Sequence, residues 1–233
     1  MKFSIIIPVL NEEKRLPACL DALKNLDYPT DDYEVIIVDN GSIDNSIEIV
    51  KLYGYHVITE TQKGITFARQ AGLLHAQGLY YITTDADARV PQDWLKTAEH
   101  AMTKYNNIAA VTGPTYGYDG NKLLNIFFAL SAFFLVWLAP KHTLLGCNMV
   151  IKTDIAKQCG GFLQGTDKFH EDSIISKRIK QYGQIHVDWH FKNFISTRRY
   201  RGLNIINIFN NIINFFSIYL RGKNIHDDLP EIR

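Results

Sequence analysis

Two aspartates separated by one residue, Asp85 and Asp87, are the first candidates for chemistry in this sequence. They follow the β-branched and aromatic run Tyr80–Thr84, which predicts a buried strand. Residues i and i+2 near a strand end point the same way, so the two carboxylates can converge on one ligand. Paired carboxylates repel unless a cation lies between them, and Mg²⁺ or Mn²⁺ would fit. The alternative is a solvated turn before a helix that starts at Pro91.

Alternating strands and helices must position these aspartates. The hydrophobic pattern predicts strands over 2–8 (ended by Pro8), 33–39, 56–59 and 80–84, with helices between them. Short connections between such elements indicate a parallel sheet covered by helices on both faces. Ligands of these sheets bind beyond the carboxyl ends of the strands. The sequence places polar clusters at three such ends: 8–12, 39–42 and 85–87.

Composition and charge exclude several classes of protein. The chain has 233 residues, 46% of them hydrophobic, and a formal net charge of +1, which argues against a nucleic-acid partner. Its three cysteines are widely spaced and form no metal-ligand cluster, which favours reduced thiols in a cytosolic protein. No GxGxxG motif follows the first strand and no GxxxxGK[ST] motif occurs, so a dehydrogenase or P-loop enzyme is not expected.

The ordered motifs of the chain resemble those of family 2 glycosyltransferases. The resemblance covers roughly residues 3 to 200 and rests on segments 6–12, 38–46, 63–72, 85–87, 146–152, 160–162 and 170–172. Relatives of this kind are inverting enzymes with an A-type nucleotide-sugar-binding fold. The resemblance therefore implies an α/β fold with a mostly parallel mixed sheet flanked by helices. It also implies transfer of a sugar from a nucleoside diphosphate.

The resemblance assigns a set of residues to the nucleotide sugar. Glu12 would meet the ribose or base, Asp39 would accept from the base imide N–H, and Arg69 would reach the base or diphosphate. The full set is Pro8, Leu10, Glu12, Asp39, Lys63, Arg69, Asp85, Asp87 and Asn148. A turn position for Asp39 and a solvated charge for Arg69 are the alternatives.

The same resemblance implies the metal ligands and the catalytic base. Asp87, with Asp85, would hold Mn²⁺ or Mg²⁺ bridging the two phosphates, where the metal acts as a Lewis acid. Inversion needs a base to accept the proton of the acceptor hydroxyl, and Asp172 is assigned to it, with Glu171 as the substitute. The segment 170–172 opens a helix predicted to end at Gly183, so a helix N-cap is the alternative for Asp172.

The sequence departs from polymerising relatives after this helix. Those relatives carry a QxxRW motif, and at the comparable place this chain has Ser196–Arg201, which favours transfer of a single sugar. Arg198 and Arg199 are candidates for binding the diphosphate or, alternatively, anionic lipid. We expect a catalytic domain over 1–200, with a nucleotide-sugar-binding half (1–115) and an acceptor-binding half (140–200).

Two apolar segments raise the question of membrane contact. Leu123–Ala139 predicts an apolar helix (121–139) that is buried or lies at an interface, because a crossing would divide the site between two compartments. The second segment, 203–220, begins the C-terminal part (201–233) and predicts an amphipathic helix with basic ends. It suits peripheral contact with the cytoplasmic face of a membrane, or packing on the domain or in a homodimer.

The expected partners are a nucleoside-diphosphate sugar, with UDP favoured over GDP, and an acceptor glycan or lipid-linked substrate. The expected reaction belongs to bacterial-type glycan or glycolipid synthesis. Two other functions remain open: a catalytically silent nucleotide-sugar-binding subunit of a membrane complex, and a sugar nucleotidyltransferase. The second would be expected to have a Gly-rich basic loop after the first strand, where this chain has Val9–Glu13.

Overall fold

A computed structural model describes residues 1–120, 125, 143–163 and 171–198. Apart from Asn125, the predicted helices at 121–139 and 203–220 lie outside the described residues, and so do Arg199 and the side chain of Glu171.

A seven-stranded mixed sheet forms the centre of the molecule. Its strands, in spatial order, are β3 (His56–Thr59), β2 (Tyr33–Asp39), β1 (Phe3–Val9), β4 (Tyr80–Thr84), β8 (Asn148–Lys152), β6 (Ile108–Thr112) and β9 (Gln184–Val187). Among these strands β8 alone runs against the others, because it pairs antiparallel with both β4 and β6. The expectation of a mostly parallel mixed sheet is confirmed.

Helices cover both faces of this sheet, as the alternating pattern predicts. The described helices are α1 (Leu16–Lys24), α2 (Ser46–Tyr53), α3 (Ile65–His75), α4 (Trp94–Lys104), α5 (Thr153–Gln158) and α6 (Glu171–Ile179). Successive residues of a strand face opposite sides, so Ile5 and Ile7 join the core with α1 and α4, whereas Ile6 joins the core with α3 and α5.

A second, three-stranded sheet lies beside the site. It consists of β5 (Ala88–Arg89), β10 (Asn193–Ile195) and β7 (Thr115–Gly117), with β10 in the middle. The strand β10 is antiparallel to β5, and Ile195 pairs with Ala88. Residues that follow Ile195 therefore run back toward Asp87, which directly precedes β5.

Two predicted boundaries are wrong by a few residues. β1 continues through Pro8 to Val9. The Ile6 carbonyl accepts a hydrogen bond from Thr83 Oγ1 of β4, and the Val9 carbonyl accepts one from the Asn40 amide on the β2 side. Because backbone groups alternate along a strand, those of Pro8 face the β4 side, where the pairing of β1 with β4 stops at Ile6. Its missing N–H is not needed there. The helix α6 ends at Ile179 rather than at Gly183. A turn follows, in which the backbone amides of Tyr182 and Gly183 donate hydrogen bonds to the Ile179 carbonyl.

Within the described part of the chain, the helices are too short or too polar to cross a bilayer.

Candidate active site

The carboxyl ends of β1, β2 and β4 meet along one edge of the large sheet. Val9 at the end of β1 pairs with Asp39 at the end of β2, and the loop after β4 begins at Asp85. The polar clusters predicted at these three strand ends are therefore neighbours. Pro8 and Leu10 lie half-buried at the same edge.

The loop after β1 is fastened to the loop after β2 by reciprocal hydrogen bonds. The Glu12 amide donates to Ser46 Oγ (2.8 Å), and the Ile43 amide donates to Asn11 Oδ1 (2.8 Å). Asn11 adopts a positive φ of 56°, a conformation that asparagine tolerates better than most residues. These contacts hold Glu12 in place with 8% of its surface exposed. Its Oε2 atom is buried and has no hydrogen-bond partner among the described residues.

Asp39 and Asn40 organise the next part of the edge. Asp39 Oδ1 accepts from the Ser42 amide (2.9 Å). The Asn40 side chain donates to the Glu60 and Gln62 carbonyls and accepts from the Gly64 amide (2.7 Å). It therefore fixes the loop that carries Lys63 and leads into α3. The exposed Lys63 side chain passes beside Gly41.

Arg69 connects Asp85 with the part of the site that contains Gly146 and Asp172. It is 3% exposed, and its Nη2 atom donates to Asp85 Oδ1 at 3.1 Å. On its other side the guanidinium lies against Gly146, where a Cβ atom would come within 2.4 Å of Arg69 Nη1. The Gly146 amide in turn donates to Asp172 Oδ2 (3.3 Å). Asp85 and Asp172, 87 residues apart in the sequence, thus line one site.

Opposing effects act on the Asp172 carboxyl group. Burial raises the pKa of Asp172 above its ordinary value, while the positive charge of Arg69 and the amides of Gly146 and Ser173 act against this rise. The Ser173 amide donates to Oδ1 (2.8 Å), so both carboxylate oxygens are held in fixed positions. An oriented carboxylate with a raised pKa is suited to accept a proton.

Arg198 bridges the remaining two carboxylates of the site. Its Nη2 atom donates to Glu12 Oε1, and its Nε atom lies 3.5 Å from Asp87 Oδ2. Burial disfavours the charged form of Arg198, but Glu12 and Asp87 outweigh it and raise the pKa of the guanidinium. Of the two predicted phosphate-binding arginines, Arg198 therefore lies in the site, whereas Arg199 is outside the described residues.

Asp85 and Asp87 are suited in type to a hard divalent cation. They provide oxygen ligands, and Asp85 keeps 22% of its side chain exposed at the edge of the sheet. No group of three His, Cys, Asp or Glu side chains close enough for a metal occurs among the described residues. Such a cation would need further ligands from a bound diphosphate and from water, which Mg²⁺ and Mn²⁺ commonly accept.

Asn148 supports the site from within the core. It is fully buried; its Oδ1 atom accepts from Trp94 Nε1 (3.0 Å) and its Nδ2 atom donates to the Phe191 carbonyl (2.8 Å). The structure does not bring this side chain to the surface of the site, in contrast to our expectation of a direct contact with the sugar. Trp94 and Phe191 are too distant in sequence for local patterns to reveal these bonds.

Three further side chains, none of them assigned a role from the sequence, shape the site. Asn40 fixes the Lys63 loop, and burial together with the nearby charge of Asp85 raises the pKa of the Cys147 thiol to about 12. Asn193, which is fully buried, donates to Thr84 Oγ1 (3.0 Å) and to the Cys147 carbonyl. Asn40 lies in the predicted polar cluster 39–42 and Cys147 in the segment 146–152 that carries the resemblance, whereas no pattern in the sequence pointed to Asn193.

The family model for glycosyl transferase family 2 matches residues 4–160, which include the loops after β1, β2 and β4 and the strand β8. The chain therefore belongs to glycosyl transferase family 2. Of the alternative functions that the sequence left open, membership in this family disfavours the sugar nucleotidyltransferase.

Two curated relatives each match less than half of the chain. Glycosyltransferase AglE of Haloferax volcanii is 35% identical over 99 residues, which are 40% of this chain and 33% of AglE. The poly(ribitol-phosphate) β-N-acetylglucosaminyltransferase TarS of Staphylococcus aureus is 31% identical over 113 residues, 46% of this chain and 20% of TarS. The chain thus spans a third or less of the length of these relatives.

Solved structures share the fold over nearly the whole chain. The mannosyltransferase PcManGT of Pyrobaculum calidifontis, solved with GDP-Man and Mn²⁺, superposes with a TM-score of 0.77 at 21% identity, over 99% of this chain and 66% of that one. TarS residues 1–349 of S. aureus, solved with UDP-GlcNAc, superposes with a TM-score of 0.68 at 20% identity, over 99% and 68%.

Proposed function

We propose that this chain is a metal-dependent, inverting glycosyltransferase that moves one sugar from a nucleoside-diphosphate donor to an acceptor hydroxyl or phosphate. The observation that carries the proposal is the link from Asp85 through Arg69 and Gly146 to Asp172. It brings a donor-side carboxylate and a candidate base together. A catalytically silent binding subunit would have no need of such a base.

In this proposal, the loops after β1 and β2, together with Asp85 and Asp87, bind the donor. Asp39 keeps one carboxylate oxygen for a base imide, and the buried, unpaired Glu12 Oε2 is placed for a ribose hydroxyl. Asp87 and Asp85 would hold Mn²⁺ or Mg²⁺, which stabilises the charge of the departing diphosphate. The Mn²⁺ and GDP-Man in PcManGT and the UDP-GlcNAc in TarS support such a donor site by analogy of fold.

The proposed reaction is a single displacement. With a hydroxyl acceptor, the oxygen attacks the anomeric carbon, its proton passes to an Asp172 oxygen, and the bond between the anomeric carbon and the diphosphate breaks; an anionic phosphate oxygen would attack without this proton transfer. The nucleoside diphosphate leaves with the bonding electron pair. Hydrogen bonds from Gly146 and Ser173 keep the Asp172 carboxylate oriented for this transfer.

Titration of the protein with UDP and with GDP, each with and without Mn²⁺, tests the donor site by calorimetry. We expect metal-dependent binding of one nucleotide and its loss in Asp87→Asn. The matched control is Asp31→Asn, an exposed aspartate before the start of β2, at the opposite edge of the sheet. Absence of binding for both nucleotides at millimolar Mn²⁺ would remove the proposal.

Slow hydrolysis of the bound nucleotide sugar separates an enzyme from a silent subunit. We expect release of the sugar from UDP-sugars or GDP-sugars by the wild-type chain, abolished by Asp87→Asn. Tight nucleotide binding with no turnover of any donor, even when acceptor lipids are added, would instead favour the silent subunit.

The acceptor is proposed to be lipid-linked. Two relatives point this way: a dolichyl-phosphate-linked sugar transferase of Methanococcus voltae and an undecaprenyl-phosphate arabinose transferase of Aeromonas hydrophila. We further propose that 203–220, outside the described residues, contacts anionic lipid at the cytoplasmic face. Co-sedimentation with anionic but not with neutral vesicles would support contact, whereas a homodimer without vesicle binding would contradict it.

A further inference from the structure

The guanidinium of Arg198 contacts the carboxylates of both Glu12 and Asp87. The side chains of Glu12 and Asp87 are 9% and 6% exposed, so water solvates their negative charges poorly. Arg198 contacts both of them, one through Nη2 and the other through Nε. Without a cation in this place, two buried negative charges would face each other, which is unfavourable.

Arg198 is brought to this position by its chain segment. The antiparallel pairing of Ile195 with Ala88 directs the following residues toward Asp87. Asp119 then fastens the segment: its carboxylate accepts from Ser196 Oγ (2.6 Å), from the Thr197 amide (2.7 Å) and from Thr197 Oγ1 (3.0 Å). The position of Arg198 is therefore built into the small sheet and does not result from a chance surface contact.

We propose that Arg198 is an internal counter-cation that occupies the place of the divalent metal until the nucleotide arrives. This inference rests on the proposed donor and metal site. Arg198 Nε lies beside Asp87 Oδ2, and the metal would be held by the same carboxylate group, on which two positive charges repel. A nucleoside diphosphate offers Arg198 another anionic partner, because the planar guanidinium matches the geometry of phosphate oxygens. Arg198 can then leave Asp87 and bind the diphosphate.

The exchange makes metal binding depend on the nucleotide. Metal alone must displace Arg198 from Asp87 without offering the arginine another anion, so it binds weakly. With the diphosphate present, Arg198 and the metal each have an anionic partner. The two ligands therefore bind cooperatively, and the enzyme does not hold a metal ion in an empty donor site.

The test is titration with MnCl₂ alone, followed through the electron paramagnetic resonance signal of free Mn²⁺. We expect Arg198→Gln to bind Mn²⁺ about tenfold or more tightly than the wild type, because a competing positive charge is gone. Arg198→Lys keeps the charge and should remain close to the wild type. Lys192→Gln, an exposed residue of the same segment, removes one charge elsewhere and should change nothing.

A second titration with UDP or GDP at saturating Mn²⁺ separates this inference from the proposed function. We expect Arg198→Gln to bind the nucleotide at least tenfold more weakly, since the diphosphate loses a guanidinium. Nucleotide binding by the wild type, together with unchanged or weaker Mn²⁺ binding in Arg198→Gln, would overturn the counter-cation alone. Failure of the wild type to bind either nucleotide would overturn the proposed function.

Thermal unfolding covers the case in which Arg198→Gln is unstable. The variant removes one positive charge from beside Glu12 and Asp87, so Mn²⁺ alone should raise its Tm by several degrees more than that of the wild type. A variant that stays unfolded, or whose Tm does not respond to Mn²⁺, would contradict the proposal. Tight Mn²⁺ binding by Arg198→Lys, equal to that of Arg198→Gln, would also contradict it, because charge would then not be the cause.

Discussion

Burial of Asp172 and the two backbone amides that orient its carboxylate favour its proposed role as the general base. If it accepts the acceptor proton, Asp172→Asn should lower turnover by about 10² to 10⁴-fold, the usual contribution of general base catalysis. Nucleotide affinity should stay within a few fold of the wild type, because the nucleotide is proposed to bind to other residues. Steady-state assays and calorimetry measure the two quantities, and Asp154→Asn, an exposed residue of α5, is the control. Equal loss of affinity and turnover would assign Asp172 to donor binding.

The raised pKa of Asp172 also predicts a dependence of stability on pH. The folded state binds this proton more tightly than the unfolded state, because burial disfavours the carboxylate. The stabilisation is complete below the unfolded pKa and is lost as the pH rises through the folded pKa. The free energy of unfolding of Asp172→Asn, relative to the wild type, should therefore increase over that window. Urea denaturation at a series of pH values measures it, and a constant difference would contradict the burial of the charge.

Gly146 and Gly54 form a matched pair of glycines. In Gly146→Ala the new methyl group would lie 2.4 Å from Arg69 Nη1, so it should displace Arg69 from Asp85 and reduce activity at least about tenfold. Gly54 ends α2 with φ of 76° and open space around it. Gly54→Ala should lower stability by about 1 kcal/mol through backbone strain, with activity unchanged. Denaturation and turnover assays on both variants check this contrast.

At the scale of elements, the loop before α3 depends on a side chain of the β2 loop. Asn40 makes hydrogen bonds with Glu60, Gln62 and Gly64 of that loop. Asn40→Ala should lower the free energy of unfolding by about 2 to 3 kcal/mol and weaken nucleotide binding, because the Lys63 loop is released. Asn25→Ala removes one exposed bond to the Asp21 carbonyl and should cost about 0.5 kcal/mol or less. Equal effects of the two variants would show that the loop is held by other contacts.

The elements that local sequence predicts are those with strong periodicity. The strands that begin at Tyr33, His56 and Tyr80 follow the expected bounds, because apolar and β-branched runs determine them locally. The small sheet β5–β10–β7 was not predicted. Its strands are only two or three residues long, too short for a pattern, and it forms through pairing between distant segments.

The sequence predicted which carboxylates lie at the site, but not which side chains they contact. The carboxylates at the strand ends could be found because parallel strands end at a common edge. The partners of Arg69 and Arg198, and the buried bonds of Asn148, depend on segments far apart in the chain. Such contacts follow from tertiary packing, which a local pattern does not encode.

At the scale of the whole molecule, the large sheet joins the two expected halves of the catalytic domain. β8 belongs to the second half (140–200), yet it lies between β4 and β6 of the first half (1–115). A fragment of residues 1–115 would lack β8 and β9, leaving β6 without a neighbour in the large sheet. We expect this fragment to show no cooperative thermal unfolding by circular dichroism and no dispersed NMR spectrum. A cooperative transition would establish 1–115 as an independent domain.

The reversed strand β8 has a further consequence for how the chain is made. A ribosome delivers β4 and β6 before the strand that separates them, so both present open, hydrogen-bonding edges during synthesis. Open edges of apolar strands are sites of aggregation, and the two edges that β8 fills stay open until residue 152 has left the exit tunnel. Slower elongation over residues 113–147 would lengthen this exposure. We therefore expect slower codons in that interval to lower the yield of folded protein in a heterologous host, with the stability of the finished fold unchanged.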